Sequence, residues 1–81
     1  MMPRESNRNL HPLERYPDAM KNLRNMKELM YRAGFRSFAT LGDAVNLNAN
    51  YLWHISHGDM LPTVETYNKI AQKLGWQKIA M

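Results

Sequence analysis

The stretch from Leu41 to Gly58 constrains the fold more than any other part of this chain. Two short apolar segments flank Asn46-Leu47-Asn48. This pattern predicts two short helices joined by a tight turn. Leu41, Ala44 and Val45 have the spacing of one buried helix face, and Ser37 suits the N-cap of a helix over Phe38 to Val45. Asn46 tolerates the left-handed backbone of a helix-ending turn. Gly42 costs helix propensity, about 1 kcal/mol against Ala, which makes sense if a neighbouring helix crosses very close.

Asn48 can cap the next helix, expected over Ala49 to His57 and ended by Gly58. At about 100° per residue, Tyr51, Leu52 and Ile55 cluster on a core-facing side. Ala49, Asn50, Trp53 and His54 cluster on the other. An Asn amide is either a solvated surface group or a reader of adenine, since it accepts from N6 and donates to N7. His54 can donate or accept at a base edge or a phosphate, and Ala49 or the Trp53 ring suits a thymine methyl. Asn48, besides capping, can meet a phosphate at the helix N-terminus. A Trp on a polar face anchors something, either DNA or a protein.

The flanking sequence completes an all-α domain. A first helix is expected from Asp18 to Ala33, started by Pro17 and ended by Gly34. Leu23, Met26, Leu29, Met30 and Ala33 share one arc, with Lys21, Arg24, Lys27, Glu28 and Arg32 opposite. The Met-rich arc is core filling or a membrane-surface face, and the later helices offer it the simpler home. Phe35 is expected to plug the core after the turn. A fourth helix follows Pro62-Thr63, with Val64, Tyr67, Ile70, Ala71 and Leu74 as its stripe and Gly75 as its stop. Trp76 and Ile79 lie in an apolar tail that packs on its own domain or meets a second subunit. Residues 1–17, with Pro3, Pro12 and several polar residues, are read as a flexible N-terminal arm, either a plain tail or one whose Arg4 and Arg8 reach DNA. Residues 18–81 form the folded domain. No strand, repeat or low-complexity tract stands out.

The net charge is +4, and residues 21–36 hold the whole excess through Lys21, Arg24, Lys27, Arg32 and Arg36 against Glu28. Such an excess favours a polyanionic partner. With 81 residues there is one domain and one modest core. The chain has no cysteine, so it has neither a disulfide nor a thiolate metal site, which suits a reducing cytoplasm. No apolar run is long enough to span a bilayer, and no secretory signal follows the first arginines. His54 and His57 have a metal-compatible spacing, but no Cys or acidic partner is expected on that face, so neither metal nor cofactor is implied.

From Leu41 to Gly75, over 35 residues without a gap, the chain resembles the phage repressor and Cro type of helix-turn-helix domain, the bacterial xenobiotic-response-element family. The residues that carry the resemblance are Leu41-Gly42, Asn46, Asn48 through Ile55, Gly58, Pro62, Val64-Glu65-Thr66-Tyr67 and Ile70-Ala71-Gln72-Lys73-Leu74-Gly75. The resemblance implies a compact all-α repressor-like domain of four to five helices that binds operator DNA, usually as a dimer. Its base-reading positions fall on Ala49, Asn50, Trp53 and His54. Its phosphate contacts fall on Ser37 and Phe38, with Arg36 beside them, and on the loop after the third helix. The chain departs from the family where Phe38 replaces a common Gln, Gly42 a common Ala, Asn46 a turn Gly, and Ser56 a Glu that makes an internal ion pair. Asp59-Met60-Leu61 stands where many members carry Lys or Arg.

The expected function is therefore a sequence-specific regulator, most simply a repressor, acting on double-stranded DNA in the cytoplasm as a homodimer. Ala49, Asn50, Trp53 and His54 would read bases, and Arg36, Ser37, Asn48 and His57 would hold phosphates. The alternative is a protein-interaction module on the same fold, in which Trp53, Met60, Leu61, Trp76 and Ile79 supply an apolar surface. An enzyme is not expected: no carboxylate pair or glycine-rich phosphate loop is present. Ser56 and His57, as helical neighbours, would point about 100° apart.

Overall fold

The computed structural model describes residues 11–80. They form a 3-10 turn, Pro12–Arg15, and five α-helices: α1 Pro17–Arg24, α2 Met26–Arg32, α3 Phe38–Val45, α4 Ala49–Ser56 and α5 Val64–Leu74. There is no strand among the described residues. The fold is all-α with the expected number of helices.

The single helix expected from Asp18 to Ala33 is two helices. Asn25 interrupts it at φ −103° and ψ 18°. Its side-chain Nδ2 donates to the Lys21 carbonyl at 3.1 Å, and its backbone N–H is shared between Lys21 and Asn22. A side chain entering the backbone ladder bends a helix. The core face nonetheless runs across the break. Leu23, Met26 and Met30 are buried, Leu29 is half-buried, and Ala33 is exposed rather than core. Phe35 packs half-buried against the core after Gly34, whose φ of 98° makes the turn.

The expected arm also needs correction over its last residues. Residues 1–10, with Arg4 and Arg8, lie outside the described residues. From His11 onward the chain belongs to the fold. His11 Nδ1 accepts from Leu13 N–H at 3.1 Å, and Glu14 accepts from His11 N–H at 2.8 Å, a reciprocal cap on the 3-10 turn. That cap drives Leu13 into the core, where it is 0% exposed, and the turn packs on α1.

The remaining caps follow the sequence. Ser37 accepts from Thr40 N–H, Asn48 from Asn50 N–H, and Thr63 from Thr66 N–H. Asn46 takes the left-handed conformation at φ 61°. On α3, Leu41 and Val45 are buried as expected, Ala44 is exposed, and Gly42 is buried instead. The close neighbour at Gly42 is not a helix side chain but the turn itself. A β-carbon there would collide with the Leu47 carbonyl oxygen and lie 3.5 Å from the Ala49 nitrogen. The Leu47 N–H meanwhile bonds the Gly42 carbonyl at 2.9 Å.

α3 packs chiefly against α4, and also against α5, while α1 touches α4. Tyr67 of α5 lies buried in this core, its hydroxyl accepting from Asn22 Nδ2 of α1 at 3.1 Å. Burial raises its pKa above the ordinary tyrosine value, opposed by the Asn22 bond and aided by the nearby Asp18 charge. The tail packs on its own domain, as one of the two expectations had it. Trp76 sits 5.6 Å from the Tyr67 ring, and Asn68 holds Ile79 by both its N–H and its carbonyl, each at 2.8 Å.

Two substitutions test this architecture by equilibrium denaturant unfolding. Gly42→Ala should lower stability by about 1–3 kcal/mol through overpacking, although alanine is the better helix former; a gain would show that the corner yields. Leu13→Ala should cost about 2–5 kcal/mol, and an unchanged midpoint would return Leu13 to the arm.

Candidate nucleic-acid interface

The corner at Gly42 sets the first turn of α3 beside the polar face of α4. Phe38, Ala49, Asn50 and Trp53 then line one shallow notch of about 390 Å³. Asn48 joins them through its cap: its Oδ1 accepts the Asn50 N–H at 2.7 Å, which leaves its own Nδ2 donors directed elsewhere. The Asn50 side chain makes no hydrogen bond among the described residues and is exposed. It presents a free donor and acceptor side by side.

Trp53 is 42% exposed and lies between both histidines of its helix end. The His57 ring stacks on it at 3.8 Å and 23°, and the His54 ring meets its edge at 5.0 Å and 90°. The four base-reading candidates, Ala49, Asn50, Trp53 and His54, thus form one continuous surface with His57 at its far end. Arg36 and Ser37 stand at its near end, directly before Phe38.

The cationic groups differ in their freedom. Arg32 is bound to Glu28 at 2.7 Å in an exposed pair one helical turn apart. Arg36 is exposed and pairs with no carboxylate among the described residues. It stands next to the N-terminus of α3, whose unpaired amides and dipole favour an anion. Ser37 Oγ already accepts the Thr40 N–H at 3.2 Å and lies 3.1 Å from Thr40 Oγ1. Its capping duty competes with phosphate contact more than the sequence suggested.

Both histidines are oriented by partners that the linear sequence hides. His54 Nδ1 lies 2.9 Å from Asp59 Oδ2 in a pair whose side chains are 36% and 53% exposed. The turn at Gly58, φ 80°, folds Asp59 back onto α4, where its N–H also bonds the His54 carbonyl. An acidic partner therefore does reach this face, contrary to expectation. Asp59 is a histidine partner rather than a bare charge facing outward, and His54 keeps Nε2 for an outside group. No three His, Cys, Asp or Glu residues converge on a metal-sized site among the described residues.

His57 is not a helical neighbour of Ser56 in the expected sense. It is the C-cap of α4, and its Nδ1 lies 3.1 Å from Ser56 Oγ instead of 100° away. The pair is not arranged as nucleophile and base. Ser56 Oγ donates to the Trp53 carbonyl at 2.7 Å, and His57 Nδ1 lies 3.0 Å from that same oxygen. A carbonyl only accepts, so His57 Nδ1 carries the proton, which leaves Nε2 of the exposed ring free of that contact.

Two contributors have neighbours that the sequence does not show. Phe38, where the resembled family commonly has Gln, walls the notch beside Asn50. Asp59, where many members carry a cation, positions His54. An aromatic at the first position of a short helix is the available signal for Phe38. Comparison of the chain with protein-family models, with curated proteins and with solved structures finds no match.

Proposed function

We propose that the chain is a sequence-specific DNA-binding regulator of the repressor and Cro type, with α4 entering the major groove and α3 lying across the backbone. The observation that carries this reading is the adjacency of two unlike surfaces. An exposed Asn50 amide, flanked by Trp53 and His54, stands beside the N-terminus of α3 with Arg36, and neither side chain is paired among the described residues. The first suits base edges and the second suits phosphate, the division of labour that a helix-turn-helix needs. Asn48 Nδ2 and His57 Nε2 extend the phosphate-facing rim. The His57 contact requires the protonated ring, since Nε2 of the neutral tautomer accepts and cannot donate to an anion.

A symmetric dimer would span two half-sites about one helical turn apart, in a cytoplasmic, nucleoid-associated setting. No catalytic step is part of this reading. No helix among the described residues is long and apolar enough to cross a membrane. The partner-binding alternative draws on fewer side chains than the sequence offered it. Leu61, Trp76 and Ile79 are half-buried on their own core, which leaves Trp53 at 42% and Met60 at 41% as its exposed apolar groups.

Selection of bound duplexes from a randomised library at about 150 mM salt tests the proposal. An inverted-repeat motif supports it; folded protein that enriches no sequence overturns it and favours a protein partner. On the selected site, Asn50→Ala should cost about 1–3 kcal/mol and relax one base position, while Arg36→Ala should weaken all sequences alike and reduce the salt slope by about 1. Fluorescence anisotropy across a salt series separates these two outcomes. An unchanged base preference removes Asn50 from the readout, and a sequence-selective loss removes Arg36 from the phosphate role.

A further inference from the structure

We propose that the notch lined by Phe38, Ala49, Asn50 and Trp53 is a receptor for the 5-methyl group of thymine, and that Phe38 and Trp53 are specificity-determining residues. The inference rests on the DNA-binding reading above and goes beyond it by naming the group that fills this site.

The lining carries no charged residue: two aromatic rings, one methyl and one amide. Aliphatic or aromatic contact is how a protein distinguishes the thymine methyl in the major groove. Asn50 is the one side chain of the lining with both a donor and an acceptor, and its amide matches the N6 and N7 edge of adenine. An adenine–thymine pair displays those atoms and the methyl on the same groove edge. An amide and an apolar notch side by side are therefore complementary to that edge. The position of the notch agrees with this. It opens between the start of α3, which carries Ser37 and follows Arg36, and the exposed face of α4, so a base seated there lies next to the strand whose phosphate those residues hold.

Both walls keep exposed surface. Phe38 is half-buried at the first position of α3, and Trp53 is 42% exposed and stacked with His57 at 3.8 Å. A stacked ring loses little further freedom when a methyl lands on it. 5-Methylcytosine offers the same methyl group, but its partner guanine presents two acceptors, O6 and N7, which suit an amide less well. Thymine is the expected source.

The test uses the operator recovered by selection and replaces its thymines one at a time with deoxyuridine, which removes only the methyl. Burying one methyl corresponds to about a fourfold change in affinity. Wild-type protein should bind about fourfold more weakly at one thymine position of each half-site. Phe38→Ala and Trp53→Ala, confirmed helical by circular dichroism, should bind thymine and uracil duplexes equally at that position. Equal wild-type binding to thymine and uracil at every position overturns the inference and leaves the regulator reading intact. So does a gain on methylating an operator cytosine with no loss at any thymine, which assigns the notch to 5-methylcytosine. Failure to select any duplex overturns the regulator reading, and this inference falls with it.

Discussion

The contact between Gly42 and the Leu47 carbonyl is the constraint on which the rest of the molecule depends. A helix that ends in a left-handed Asn46 must turn within two residues, and the backbone of that turn comes to rest where the β-carbon of any other residue at position 42 would be. The Leu47 amide bonding back to Gly42 closes the corner from the other side. This angle lets Leu41 and Val45 share a core with Leu52 and Ile55, and it brings Phe38 alongside Asn50 and Trp53. The site is thus a by-product of the turn. Neither α3 nor α4, each eight residues long, would be a stable helix alone.

The electrostatics of the surface are more selective than its net charge. Much of the basic segment of the sequence lies on α1 and α2, and one of its cations, Arg32, is committed to Glu28. Exposed pairs of this kind contribute little to stability, but they withdraw a cation from other partners. Among the described residues Arg36 escapes such pairing, and it stands at a helix N-terminus, where its charge adds to the dipole. On the opposite flank, Asp59 engages His54, so its carboxylate is paired within the chain.

Much of this fold was legible because its signals are local. Ser37, Asn48 and Thr63 cap the helices that their positions predicted, since a side-chain oxygen two or three residues from an unpaired amide needs no tertiary help. The unread features depend on geometry that a helical wheel does not contain. The break at Asn25 comes from a side chain reaching its own backbone, which competes with a continuing helix. Leu13 sits among prolines and charges that suggest a tail, and only the cap between His11 and Glu14 turns it inward. The His54–Asp59 pair spans a glycine turn, and the Ser56–His57 contact arises because residue 57 has already left the helix. The shared helix face of Ala49, Asn50 and Trp53 was legible; the partners of His54 and His57 were not.

Asn68 treats Ile79 as a neighbouring strand would. Its amide supplies a donor and an acceptor to one residue's carbonyl and N–H, a ladder of a single rung built from a side chain. Because both bonds belong to one planar group, a single turn of the Asn68 amide gives up both, whereas two separate side chains would each have to let go. The attachment of Ile79 to α5 by its polar backbone atoms thus depends on the orientation of one amide.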